Sequence, residues 1–123
     1  MDDGIGSMPE QDAGALTAIV PATEETAIEA YIDEVFAAIP SIGYGELDGD
    51  TVLSPGSGEA ALRAAGAVTA AVDAVMRGEL TNAFCAVRPP GHHAERDLAM
   101  GFCIFNNVAV GAAQAMDVHG LSR

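Results

Sequence analysis

The 123-residue chain contains no lysine and no tryptophan, and it has only two cysteines. With no lysine and few arginines, the chain cannot form the basic patch that nucleic-acid binding requires. Cys85 and Cys103 do not make a disulfide framework, which favours a reducing compartment. No apolar run approaches the roughly 18 residues of a membrane span, and the amino end lacks the basic region of a secretory signal. We therefore expect a cytoplasmic protein that binds neither nucleic acid nor a membrane.

Charge is distributed unevenly along the chain. Thirteen of the 18 acidic residues lie in positions 1–59, which contain no arginine, and the remaining five acids are balanced by five arginines. The whole net charge of −13 therefore belongs to the first half of the chain. Such a composition suits a cytoplasm of high salt, where counterions screen the repulsion between carboxylates. Biased genome composition is the alternative explanation.

The first half of the chain predicts two helices. Residues 1–22 have the composition of a flexible acidic tail, and Thr23 is a reasonable N-cap for a helix that Pro40 ends. Glycines and prolines in residues 41–58 predict a loop. Ser57 is predicted to cap a second helix of about 20 residues that ends at Arg77 and Gly78. This helix is rich in alanine, so we expect close packing on both sides.

The second half predicts a strand, a loop and a third helix. Residues 82–87 form a short apolar run of the kind found in buried parallel strands. Asn106 or Asn107 is predicted to cap a helix that runs to His119 and is ended by Gly120. The expected fold class is therefore α/β, with the loop between residues 88 and 105 at the carboxyl end of the strand, where open α/β sheets bind ligands.

That loop carries the residues most able to do chemistry. Pro89 and Pro90 stiffen it, Gly91 lets it turn, and His92 and His93 follow side by side. One imidazole can accept a proton from an attacking water while the other, kept charged, stabilises an oxyanion or protonates a leaving amine. A lone histidine pair is otherwise most simply explained as part of a solvated loop.

Residues 88–107, which include Pro-Pro-Gly-His-His and Met-Gly-Phe-Cys, resemble the signature of the histone deacetylase family, in its class II and bacterial acetylpolyamine amidohydrolase branch. Residues 47–51, 54–57 and 60–66 are similar to that family in the same order and spacing, and the likeness covers residues 24–123. The resemblance implies a zinc-dependent deacylase with an arginase-like, three-layer α/β fold around a parallel sheet. It also implies acetyl-lysine or an acetylated polyamine as substrate.

The resemblance also implies roles for individual residues. His92 corresponds to the histidine that takes the water's proton, and His93 to its neighbour that serves as general acid. Gly101 and Phe102 correspond to residues that line the acyl-lysine tunnel, and Cys103 follows them near its floor. Either Asp48 or Asp50 corresponds to the carboxylate that holds the substrate's amide hydrogens. Plain core packing of Phe102 and an ordinary solvated turn at the two aspartates are the alternatives.

The resemblance includes neither the zinc ligands of the family nor its catalytic tyrosine, which follow the third helix in family members. We therefore expect the chain to be an internal slice, about a third of a catalytic domain, that carries residues 23–123 as a partial deacetylase domain. Asp117-Val118-His119 has the form of a ligand motif, but two residues on one helical run point in different directions and cannot chelate together. The sequence thus predicts no metal site, poor zinc binding and no measurable deacylase activity for the chain alone.

Two other functions remain open from the sequence. The chain could be a non-catalytic fragment that acts by assembling with a separately encoded remainder of the domain, or as a homo-oligomer, with the strand at residues 82–87 completed by its partner. It could also be a cysteine-dependent hydrolase in which Cys103 is activated by His92 or His93. Because one buried strand without neighbours leaves its amides unpaired, we expect a loosely folded or aggregating chain.

Overall fold

The computed structural model describes residues 22–122, with side chains from residue 28 onward. In chain order its elements are helix α1 (Ala22–Ala38), strands β1 (Gly45–Asp48) and β2 (Thr51–Leu53), and helices α2 (Ser57–Met76) and α3 (Asn107–Asp117). Of the predicted tail at residues 1–22, all but Ala22 lie outside the described residues, and Ala22 begins α1. None of the helices in the described range is long and apolar enough to cross a membrane.

The prediction of a loop over residues 41–58 is wrong in its middle, where β1 and β2 form an antiparallel hairpin. Glu46 pairs with Val52, and Asp48 pairs with Thr51 across an irregularity in the register. The alternation that marks a strand is confined to three residues of β2, where Thr51 and Leu53 are buried and Val52 is exposed. So short a pattern, surrounded by glycines, is easily taken for a loop.

The three predicted helices are confirmed, with small differences at their ends. Gly56 is the N-cap of α2, and Ser57 is its first helical residue, so the prediction that Ser57 caps this helix is wrong. The Ser57 hydroxyl instead accepts a hydrogen bond from the Ser54 backbone N–H at 2.8 Å. Asn106 is the N-cap of α3, as predicted, and its side chain accepts a hydrogen bond from the backbone N–H of Ala109.

Helices α2 and α3 pack closely because small residues face each other. A Cβ added to Gly111 of α3 would lie 2.4 Å from a methyl carbon of Val68 on α2. Ala64, Ala65 and Gly66 of α2 are buried. The close packing expected from the alanine-rich sequence of α2 is therefore present on its α3 side.

The predicted strand at residues 82–87 is not formed. These residues carry no helix or strand assignment, and none makes a backbone–backbone hydrogen bond with another described residue. The reason is physical: a parallel strand exists only beside neighbours that take up its amide and carbonyl groups. The one sheet in the described range is the antiparallel pair β1–β2.

The larger of the two buried apolar clusters found among the described residues lies where α1, the hairpin, α2 and the loop before α3 meet. Its members are side chains buried to 6% exposure or less: Tyr31, Val35, Leu53, Ala61, Leu62, Ala99, Ile104 and Phe105. The Tyr31 hydroxyl donates a hydrogen bond of 2.6 Å to the carbonyl oxygen of Ile104, and the Tyr31 and Phe105 rings meet edge to face. This cluster fixes the loop that follows the histidine pair against the amino-terminal half of the chain.

Candidate functional site

His92 and His93 are exposed on a tight turn whose two ends are buried. Gly91 and Ala94 flank the pair and are both buried, and the Ala94 N–H donates to the Gly91 carbonyl oxygen at 3.1 Å. The two imidazole rings lie face to face at a tilt, with 4.3 Å between their centroids and 51° between their planes. The turn therefore presents two neighbouring imidazoles to solvent from a rigid base.

The asparagines at the start of α3 hold this turn in place. The Asn107 side-chain amide donates to the Pro89 carbonyl oxygen at 3.2 Å, and the Asn106 amide donates to the Ala94 carbonyl oxygen at 3.1 Å. A Cβ on Gly91 would lie 2.4 Å from the backbone nitrogen of Asn107. Only glycine allows this approach, so the Pro-Pro-Gly sequence both stiffens the loop and lets it contact α3.

A second tight turn, residues 100–103, supports the histidine pair from the side. Met100 and Cys103 exchange backbone hydrogen bonds of 2.9 and 3.1 Å. Both central residues have positive φ, +55° at Gly101 and 71° at Phe102, which is the pattern of a type I′ turn. Positive φ is rare for a bulky residue such as phenylalanine and is favoured only where the surroundings impose it. This turn places Gly101 directly against the His93 ring.

Phe102 and Asp50 lie on a groove of about 810 Å³ beside the histidine turn. The groove runs between the hairpin and the Arg88-Pro89-Pro90 segment, and most of its wall is apolar. Phe102 is 68% exposed, so the alternative that it is a core residue is wrong. Among the groove's other exposed walls are Tyr44 and Val52, neither of which the sequence had indicated as a site residue.

The two candidate aspartates of the hairpin differ in their surroundings. The Asp48 carboxylate accepts a hydrogen bond from the Asp50 backbone N–H at 2.8 Å, as in an Asx turn. Asp50 is exposed and lines the groove, whereas Asp48 does not. Of the two alternatives left open by the sequence, Asp50 is the one whose side chain can meet a molecule in the groove.

The structure therefore brings the candidate residues together in two neighbouring groups. His92, His93 and Gly101 form one group, and Asp50 and Phe102 form the other on the groove wall. The 100–103 turn joins them, since Gly101 faces the histidines and Phe102 faces the groove. The histidine pair itself does not line the groove.

Cys103 and His119 have roles different from those that a nucleophile or a metal ligand would need. Cys103 is fully buried, and its sulfur accepts a hydrogen bond from the backbone N–H of His93 at 3.4 Å, not from an imidazole. A cysteine hydrolase needs an accessible thiolate paired with a ring nitrogen, so this geometry opposes that alternative. The His119 ring nitrogen lies 2.7 Å from a carboxylate oxygen of Asp73 on α2, away from Asp117.

In the part of the chain that the structure describes, no group of three or more histidine, cysteine, aspartate or glutamate side chains is placed to hold a metal ion. A catalytic zinc site requires three such ligands. The described residues alone therefore do not fit a zinc site.

A family model described as the histone deacetylase domain matches residues 17–123. The chain belongs to the histone deacetylase family. It is 44% identical over 106 residues to a histone deacetylase-like amidohydrolase of Pseudomonas aeruginosa, a match that covers 84% of this chain. It is 52% identical over 69 residues to the human polyamine deacetylase HDAC10, covering 56% of this chain and 10% of that protein.

A solved structure supports the same fold. The crystal structure of the HDA15 HD domain matches with a TM-score of 0.67 and 32% sequence identity, covering 86% of this chain and 28% of that one. The α/β deacetylase fold predicted from the sequence is confirmed. The chain spans 28% of the length of the Pseudomonas amidohydrolase, so it corresponds to part of the deacetylase domain.

Proposed function

We propose that this chain supplies the acid–base pair and one wall of the substrate groove of a zinc-dependent deacetylase. The reaction would hydrolyse an acetyl amide, from acetyl-lysine or an acetylated polyamine, to acetate and a free amine. The observation that carries the proposal is the imidazole pair, 4.3 Å apart and held between buried Gly91 and Ala94. Family membership supports the reaction class, and the name of the human relative supports a polyamine as one substrate.

In this proposal His92 accepts a proton from the attacking water, and His93 donates a proton to the nitrogen that leaves. The C–N bond breaks as the new C–O bond of acetate forms, so one water is consumed for each amide. Adjacent rings suit this division of work, because one positioned side chain can take a proton while its neighbour gives one. Asp50 would accept hydrogen bonds from substrate N–H groups at the groove rim, while Gly101 and Phe102 would line the acyl channel.

A graft tests the catalytic roles. Residues 17–123 would replace the aligned segment of the Pseudomonas amidohydrolase, and turnover of a fluorogenic acetyl-lysine substrate would be measured with zinc present. We expect the graft to be active and His93→Ala to lower kcat by about 10²–10⁴-fold, the usual contribution of general acid–base catalysis. His119→Ala is the matched control, because His119 bonds to Asp73 on α2. Equal turnover by His93→Ala and the unaltered graft would refute the proposal.

We further propose assembly with a separately encoded remainder of the domain as the alternative function. Residues 82–87 support it, since they have no backbone hydrogen bond to another described residue and Phe84 is 91% exposed. Adding residues 17–123 as a separate chain to a Pseudomonas amidohydrolase that lacks the aligned segment, in the same assay, tests this. Activity that returns on mixing and is lost with Phe84→Asp would support assembly, whereas two chains that elute separately and stay inactive would contradict it.

We also propose that the protein is located in the cytoplasm. Both thiols are free in the structure, which suits a reducing compartment.

A further inference from the structure

Cys103 contacts both the backbone of His93 and the turn that supports the His93 ring. Its sulfur is fully buried and accepts the His93 N–H at 3.4 Å. The same thiol donates to the carbonyl oxygen of Gly101 at 3.5 Å. A thiol can be donor and acceptor at once, and its long bonds reach groups that a hydroxyl, with bonds near 2.8 Å, would hold less well.

Gly101, in the same turn, lies next to the His93 side chain. A Cβ on Gly101 would lie 3.0 Å from Cδ2, 3.1 Å from Cγ and 3.2 Å from Cβ of His93. With its positive φ of +55° and no side chain, Gly101 leaves room for the His93 side chain beside the turn. The His93 ring therefore lies near both the His92 ring and the turn whose Gly101 carbonyl oxygen accepts the Cys103 thiol hydrogen.

We propose that Cys103 is a positioning residue that sets the orientation of the His92–His93 pair by bonding the His93 backbone to the Gly101 carbonyl. The inference rests on the proposed acid–base role of the pair for its functional meaning. The hydrogen bonds that link the Cys103 thiol, the His93 amide and the Gly101 turn can be tested whether or not the pair is catalytic. Cys103 touches no reacting atom and acts through His93.

Nuclear magnetic resonance on the full chain tests this without requiring activity. We expect Cys103→Ala to lower the protection factor of the His93 amide against hydrogen exchange by roughly tenfold. This is the effect expected from the loss of one net hydrogen bond. The ring-proton shifts of His92 and His93 should move together, because each ring lies in the field of the other at 4.3 Å. Cys103→Ser keeps a donor and acceptor and should restore part of the protection.

Cys85→Ala is the matched control. Cys85 is the second free cysteine, and its thiol donates to the Ala67 carbonyl oxygen on α2 at 3.6 Å, away from the histidine turn. The His119 ring signals report folding, since that ring is held by Asp73 on α2. If Cys103→Ala loses those signals, the variant is unfolded and Cys103→Ser is used in its place. Protection of the His93 amide that is retained in folded Cys103→Ser supports the proposal, and complete loss of that protection opposes it.

Unchanged His93 protection and unchanged ring shifts in folded Cys103→Ala would overturn the positioning role. That result is distinguishable from failure of the proposed function. If the ring shifts move in Cys103→Ala but His93→Ala leaves the graft fully active, the link is real and the catalytic assignment is wrong. If both hold, Cys103→Ala in the graft should lower kcat, because the orientation of the His92–His93 pair changes, and should change KM less, because Cys103 itself does not line the groove.

Discussion

At the scale of single residues, the chemistry-bearing side chains were identifiable from the sequence, but the groups that hold them were not. Local sequence indicates His92 and His93 as candidates, and it places the cap of α3 at either Asn106 or Asn107. The bonds from Asn106 to Ala94 and from Asn107 to Pro89 join positions 12 and 18 residues apart. No local pattern encodes such a bond, although two adjacent asparagines at a helix start, directly after a glycine-hinged loop, are a usable signal.

Tyr31 is the clearest residue that sequence reasoning missed. Its aromatic ring fits the apolar spacing of α1, so nothing in the pattern distinguishes it from a leucine. The structure shows that its hydroxyl bonds to the Ile104 carbonyl, 73 positions away. Burial, with smaller contributions from the Glu34, Asp48 and Asp97 carboxylates, raises the pKa of Tyr31 above its ordinary value of 10.0.

We expect Tyr31→Phe to lower the free energy of unfolding by about 1–3 kcal/mol at neutral pH, because the buried Ile104 carbonyl loses its donor. The difference in free energy of unfolding between the wild type and Tyr31→Phe should narrow above pH 10. There the unfolded tyrosine loses its proton while the folded one keeps it, so the wild type loses stability as pH rises and the phenylalanine variant does not. Urea denaturation across this range measures both effects.

Tyr44→Phe is the matched control for that experiment, since Tyr44 is 83% exposed. It should not show the loss at neutral pH, because the Tyr44 side chain is exposed to solvent. Parallel alkaline stability curves for Tyr31→Phe and the wild type would contradict the assignment of Tyr31 as a buried anchor.

At the scale of elements, helices were predictable because their signals are local, while the sheet was not. Asn106 marks the start of α3 because its side chain caps the helix. Gly78 marks the end of α2 because a residue without a side chain easily adopts positive φ. The hairpin depends on pairing between Glu46 and Val52, and the strand at residues 82–87 depends on neighbours that the described residues do not supply. Strand prediction fails here because a strand is defined by its partner.

The contact between α2 and α3 includes a polar cluster as well as small residues. Asp73 of α2 accepts a hydrogen bond of 2.9 Å from the Gln114 side chain on α3 and lies 2.7 Å from the His119 ring nitrogen. Burial raises the pKa of Asp73, but the bond from Gln114 and the bond and charge of His119 outweigh it, with a smaller contribution from Arg77. The net pKa is below the ordinary value of 3.8.

We expect Asp73→Asn to lower the free energy of unfolding by about 1–3 kcal/mol at neutral pH, as for hydrogen bonds to a charged group. Since the folded pKa is depressed, the contribution of Asp73 is fully present above pH 3.8 and is lost as pH falls through the folded pKa. The gap between variant and wild type should therefore close on acidification below pH 3.8. Denaturation curves at several acidic pH values measure this.

Glu59→Gln on the same helix serves as the comparison variant. Its pair with Arg63 is exposed, and exposed pairs of this kind contribute about 0–1 kcal/mol. If Asp73→Asn behaved like Glu59→Gln, the cluster would not be a stabilising contact between α2 and α3.

At the scale of the whole molecule, the family was recognisable because the matching motifs are long and ordered, whereas the groove was not. Asp50 and Phe102 are 52 positions apart and meet on one surface only through the tertiary packing of the hairpin against the Arg88-Pro89-Pro90 segment. The sequence can single out each residue as a candidate, but the groove wall that they share depends on the folded shape.

The net charge of the chain follows directly from its composition, and the effect of that charge on stability can be measured. With a net charge of −13, the compact state brings carboxylates together that the unfolded chain keeps apart. We expect the melting temperature to rise from dilute buffer to molar KCl. Because the screening length falls from about 10 Å at 0.1 M to about 3 Å at 1 M, most of the rise should occur within this range.

Replacing Asp33 and Glu34, two adjacent exposed carboxylates of α1, by Asn and Gln separates screening from other effects of salt. Screening predicts that the double variant melts higher in dilute buffer and gains less from KCl. A melting temperature that is equal in dilute and molar KCl would show that repulsion does not limit the fold, and the acidic composition would then reflect genome bias. If the melting temperature of the variant rises with KCl as much as that of the wild type, charge screening is not the cause. The rise would then come from the effect of salt on apolar surface, such as the exposed Phe84 side chain.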